Sequence, residues 1–159
     1  RGGPWMAGAC CLLLGIAAWL PVNAGRVSLA PDQLETALAS PERPERLAAL
    51  RWIHDQKKEI SAYPQYRGLL TSGGIAERYW LARALGVSRN PATYADLRRL
   101  SEDEHPNVVC QAYYALGRRR DRRAIPLLTE QLPLSQHWYA QWYGYRALKA
   151  LGWRQTTSP

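Results

Sequence analysis

One phrase recurs down this 159-residue chain: Ala49-Leu50-Arg51-Trp52-Ile53-His54, Leu81-Ala82-Arg83-Ala84-Leu85-Gly86, Ala112-Tyr113-Tyr114-Ala115-Leu116-Gly117 and Ala147-Leu148-Lys149-Ala150-Leu151-Gly152. The closing positions lie 32, 31 and 35 residues apart. A self-similar period of that size belongs to stacked supersecondary units, none of which buries its apolar face alone. Such an array supplies surface more readily than it supplies a reaction centre.

Helix signals fill the space between the phrases. Pro31 suits a first helical position, and Leu34, Ala37 and Leu38 follow at helical spacing. Ser40-Pro41 reads as an N-cap with a first-turn proline, starting a helix over about 42–60 that Tyr63-Pro64 breaks. The second pair is 65–70, a turn at 71–74, then 75–85 closed by Gly86. Asn90-Pro91 opens the third pair, whose second member is the VVCQAYYALG stretch. The fourth is RAIPLLTEQL followed by a long helix over 136–151 that Gly152 closes. No strand-like alternation competes, so residues 31–153 are expected to form an all-α solenoid of about four helical hairpins.

Two columns emerge when the second helices are aligned on their endings. Ala49, Leu81, Ala112 and Ala147 form one, and Ile53, Leu85, Leu116 and Leu151 the other. Residues four apart share a helix face, so both columns are expected in one continuous core. A third column, Arg51, Arg83, Tyr114 and Lys149, is a cationic and aromatic ladder. It suggests contact with an acidic or aromatic-bearing partner, although solvated helix faces are also commonly charged.

These features resemble the HEAT-like repeat family, in the short variety first noted in phycobilisome lyases. The resemblance rests on DRRAIPLLTEQL, HPNVVCQAYYALG and the Ala-Leu-Gly endings, and the first repeat departs from it by ending in His54. It implies that the second helices line the concave surface. Neither the Trp-Leu-Gly-Tyr pattern of tetratricopeptide repeats nor the Thr-Pro-Leu-His phrase of ankyrin repeats occurs.

The last helix is rich in rings. At about 100° per residue, Trp138, Trp142 and Tyr145 fall on one stripe, with Tyr139, Tyr143 and Arg146 beside it. A thin core cannot take all of them, and an aromatic outer face is unusual where a terminal repeat normally presents a polar cap. Trp, Tyr and Arg are enriched at binding hot spots, so this helix is expected to contact a partner.

Residues 5–22 form an uncharged apolar run, roughly 27 Å long as a helix, which approaches a bilayer's hydrocarbon thickness. Residues 1–24 are read as a transmembrane anchor or signal-anchor, residues 25–30 as a linker and 154–159 as a flexible tail. A secretory signal peptide cleaved before Gly25 is the competing reading. Ala7, Gly8, Cys11, Gly15 and Ala18 place small residues on one face, where another membrane helix could approach closely. The resulting topology is single-pass, with the repeat domain periplasmic or otherwise extracytoplasmic.

Net charge is +8, which favours acidic partners. Half of the excess is local to Arg118-Arg119-Arg120-Asp121-Arg122-Arg123, a run read as a solvated turn with one or two arginines bonded to helix ends. No nucleic-acid motif accompanies it. His54, His105 and His137 fall in different repeats without metal-ligand spacing, and no nucleophile or acid–base constellation is present. The sequence thus points to a non-catalytic, cofactor-free, membrane-anchored accessory subunit that binds other protein subunits of a membrane or cell-envelope complex. The alternatives are a ligand-binding module that stacks a glycan or tetrapyrrole on Trp138 and Trp142, and, further off, an enzyme of the bilin lyase kind.

Overall fold

The structure, a computed structural model, describes residues 29–155. The apolar run at 5–22, with Ala7, Gly8, Cys11, Gly15 and Ala18, lies outside the described residues, as do residues 156–159.

Eight α-helices and five short 3-10 segments make up the described chain, with no strand among them. The helices are α1 (Leu34–Ala39), α2 (Arg43–Asp55), α3 (Leu69–Ser72), α4 (Ile75–Leu85), α5 (Tyr94–Leu100), α6 (Pro106–Arg119), α7 (Ala124–Gln131) and α8 (Trp138–Ala150). They pair as four hairpins in two layers. The second helices α2, α4, α6 and α8 pack on one another in order, most extensively between α6 and α8. The first layer is shorter and starts or ends in 3-10 turns at Pro31–Gln33, Pro64–Gly68, Pro91–Thr93 and Leu132–Leu134. Each of those turns contains a proline within its first two positions, where a missing N–H costs nothing.

Both predicted core columns are fully interior. Ala49, Leu81, Ala112, Ile53, Leu85 and Leu116 have no exposure at all, and Ala147 and Leu151 have almost none. Burying one leucine-sized side chain contributes about 1.5–3 kcal/mol, so the five Leu and Ile positions on this seam, spaced by three alanines, hold the array together.

Two of the three Ala-Leu-Gly glycines serve a close helix contact: Gly86, which also closes its helix as expected, and Gly117. Gly86 sits in ordinary right-handed geometry, and Gly117 lies inside α6, two residues before its end. A Cβ on Gly86 would stand 2.8 Å from Ala115 Cβ, and one on Gly117 would stand 2.8 Å from Ala147 Cα. These glycines let successive second helices approach closely. Left-handed closure falls elsewhere, at Lys57 (φ 51°), Arg120 (φ 54°) and Gly152 (φ 78°). At Lys57 and Gly152 the next N–H reaches back five residues, Lys58 to Ile53 and Trp153 to Leu148, which satisfies a terminal carbonyl.

The helix expected over 42–60 is shorter at both ends. It starts at Arg43 because Pro44 takes the first turn and Glu42 is extended, while the Ser40 hydroxyl accepts from the Glu42 N–H at 3.0 Å. It stops at Asp55 because Lys57 turns left-handed, which releases Glu59 to begin a separate turn at Ile60–Ala62. The 71–74 turn is likewise displaced, since α3 continues to Ser72.

Polar side chains stitch each repeat to the next. In the first layer Gln65 donates to Glu35, Tyr66 Oη to Asp96 at 2.5 Å, and Tyr94 Oη to the Arg123 carbonyl at 3.0 Å. At the starts of the second helices, Arg46 holds the Ser40 carbonyl and reaches Glu77, and Arg78 holds the Gly73 carbonyl and reaches Asp103. Asp103 also accepts from the His105 N–H at 2.9 Å. Burial, reinforced by the Asp96 carboxylate, pushes the Tyr66 phenol up to about 12. Tyr66→Phe is expected to cost about 1 kcal/mol, read as a fall in the urea midpoint at unchanged slope.

Candidate functional site

The surface of α8 follows from its inner stripe. Ala140, Gly144, Ala147 and Leu148 are buried, and a Cβ on Gly144 would collide with Leu132, so the preceding turn presses against this helix. That rotation leaves Trp138 75% exposed, Trp142 47% and Tyr145 49%, on one stripe as the spacing predicts. Tyr139 and Tyr143 are half-buried beside them. The rings meet edge-on, Trp138 with Tyr139 at 5.8 Å and Trp142 with Tyr143 at 5.0 Å. The Arg146 guanidinium lies 4.6 Å from the centre of Trp142, a geometry in which the ring face attracts the cation. At Tyr145's place in the preceding repeat stands Cys110, which is only 6% exposed. Burial pushes that thiol up to about 11, so it packs as a small apolar group.

The Arg51, Arg83, Tyr114 and Lys149 ladder divides in two. Arg51 and Arg83 flank the same ring, Trp80, at 5.0 and 4.5 Å, and His54 meets its edge at 5.8 Å. Arg83 Nε is buried without a hydrogen-bond acceptor, so its charge is answered by the ring. Trp80 was missed in the sequence, though it stands three residues before Arg83 on the adjoining face. The other half opens outward. Tyr114, Tyr143 and Arg146 line a hollow of about 290 Å³ between α6 and α8, together with Arg118 and Arg120. Lys149 is exposed but does not line it.

A larger hollow, about 860 Å³, lies along the carboxyl ends of α2, α4 and α6 and shares Arg118 with the first. Lys57, Arg89 and Arg119 line it, with the Glu59 and Asp121 carboxylates. Its floor is a network that crosses three repeats. Glu59 accepts from the Ser88 hydroxyl at 2.5 Å and from the backbone N–H groups of Arg89 and Asn90 at 2.8 and 3.2 Å. Burial alone would raise the Glu59 pKa; the hydroxyls of Ser88 and Ser61 and the N–H groups of Arg89 and Ser61 outweigh it and hold the carboxyl below its ordinary value. Ser88 also meets Thr93 at 2.9 Å, and Arg119 donates to Thr93 at 2.6 Å, to the Asn90 carbonyl at 2.9 Å and to the Leu85 carbonyl at 3.2 Å. Arg119 is thus the member of the basic run that bonds to a helix end. Asp121 is held by Arg123 through bonds of 2.6–3.1 Å.

Among the described residues no group of three or more His, Cys, Asp or Glu side chains is placed to hold a metal ion, and no helix is long and apolar enough to cross a membrane. The periodic hairpins, the shared seam and the close glycine contacts are what a helical-repeat family requires. The family model described as HEAT repeats matches residues 66–149, more than half of the chain. The chain belongs to the HEAT repeat family. No curated protein and no solved structure matches it. HEAT repeats generally mediate contacts between proteins, so the matched span, which contains α3 to α7 and nearly all of α8, carries an expectation of protein partners. The first hairpin precedes the matched span, yet α2 packs on α4 as α4 packs on α6.

Proposed function

We propose that this HEAT repeat protein is a non-catalytic accessory subunit whose last helix docks on a neighbouring protein of a membrane or cell-envelope complex. One observation carries the reading: the Trp138, Trp142 and Tyr145 stripe is open on α8, whereas Cys110, at Tyr145's place in α6, is buried. Burying those rings against a partner removes a large apolar area from water, and Arg146 supplies a polar handle beside them. The repeats are placed with the short, phycobilisome-lyase-type variety on their spacing of 31–35 residues. Anchoring is assigned to residues 5–22 as a single span with the repeat domain extracytoplasmic, the small-residue face at Ala7, Cys11 and Gly15 packing on another membrane helix.

The test is purification of the full chain from membranes in mild detergent. A companion protein is expected in fixed stoichiometry with the wild type. Trp138→Ser combined with Trp142→Ser is expected to release it while leaving the thermal midpoint within about 2 °C, because surface changes of this kind cost within about 0.5 kcal/mol. A wild-type chain that elutes as a lone monodisperse monomer overturns the reading.

A further inference from the structure

The two hollows that meet at Arg118 form one trough along the carboxyl ends of the second helices, from Lys57 to Arg146. We propose that this trough binds an acidic polypeptide segment, and that the segment belongs to the partner protein inferred above, on which reading the proposal rests.

The first argument is charge. Both carboxylates in the trough are occupied, Glu59 by hydroxyl and backbone donors and Asp121 by Arg123. Lys57, Arg89 and Arg118 make no ion pair among the described residues. Three free cations therefore line a single concavity over a floor already fixed by the Glu59–Ser88–Thr93–Arg119 network. A rigid positive cleft of this kind attracts and orients an anion.

The second argument is backbone conformation, and it is independent of the first. Three positions close helices in the left-handed region, which favours glycine. Only Gly152 is a glycine; the other two are Lys57 and Arg120, and both line the trough. A cation at such a position is carried against the local conformational preference. Residues held in that way cluster at ligand sites.

The third argument selects the class of anion. Residues at the carboxyl ends of α4 and α6 line the larger hollow. The negative ends of these helix dipoles disfavour a closely spaced phosphate chain more than carboxylates spread along a peptide.

The experiment uses the full chain and a fluorescein-labelled 12-residue peptide of alternating Glu and Ala, with a Gln counterpart and a single-stranded oligodeoxynucleotide of equal charge. The Glu peptide is expected to bind at low salt in preference to both. Arg89→Glu with Arg118→Glu is expected to weaken it by about tenfold or more, and Trp138→Ser alone to leave it unchanged. Lys57→Gly with Arg120→Gly is the decisive variant: its melting temperature is expected to rise while peptide affinity falls about fivefold. Equal binding of the Gln peptide, tighter binding of the oligonucleotide, or full affinity in the glycine variant each overturns the proposal. If the wild type retains its companion in detergent but binds no Glu peptide, the trough assignment fails and the docking of α8 stands. If no companion appears, the docking reading fails whatever the peptide does.

Discussion

Gly117→Val is expected to lower the stability of the domain by about 3 kcal/mol, the upper end of what overpacking a close contact costs. The site leaves no room on the α8 side of the contact. A Cβ there would stand 2.8 Å from Ala147 Cα and 3.0 Å from Ala147 Cβ, so backbone and not a flexible side-chain tip would have to move. Gly117→Ala makes the sharper comparison. Gly117 is inside α6, where alanine would normally gain about 1 kcal/mol from helix propensity, so a fall in the urea midpoint requires the contact to outweigh that gain. Gly86→Ala is expected to behave alike, against Ala115. Gly152→Ala should lose about 1 kcal/mol for a different cause, since nothing lies within 4 Å and only its φ of 78° objects. A Gly117→Ala variant more stable than the wild type would remove the close crossing of α6 and α8 from the account.

Those three glycines show how far the chain could be read without coordinates. A glycine after Ala-Leu at the end of an apolar stripe is compatible with a left-handed cap and with a close helix contact, and only the residue across the interface distinguishes them. The seam columns were legible because both members of every pair are apolar and sit one helical turn apart, which tertiary context rarely overrules. The ring stripe of α8 was legible for the same geometric reason. Trp80 was not singled out, because Arg51 and Arg83 converge on it from two helices. The trough was hidden more deeply. Its floor depends on Glu59 lying outside a helix, and the helical periodicity over 42–60 carried no sign that Lys57 would turn left-handed and end α2 early. Once it does, Glu59 bonds to residues about thirty positions onward, at a distance no local pattern reports.

That dependence makes Glu59→Ala the second large effect, a loss of about 3 kcal/mol. The carboxylate accepts the Ser88 and Ser61 hydroxyls and the N–H groups of Ser61, Arg89 and Asn90, and removing it leaves those donors without their acceptor in a part-buried turn. The loss should spread, because Ser88 also holds Thr93, and Thr93 holds Arg119 against the end of α4. Glu59→Gln keeps one carbonyl acceptor and is expected to lose about half as much. Acid then separates charge from shape. Since the folded carboxyl has a pKa below its ordinary 4.5, Glu59 contributes its full stabilisation above that value and loses it as the pH falls through the lower folded value. The wild-type urea midpoint should therefore drop on acidification below about pH 4.5, and the gap to Glu59→Gln should narrow with it. A gap that stays constant from neutral pH down through that range would mean that the ionised carboxylate does not hold the three repeats in register, and the trough would lose the rigid floor on which its cations are set.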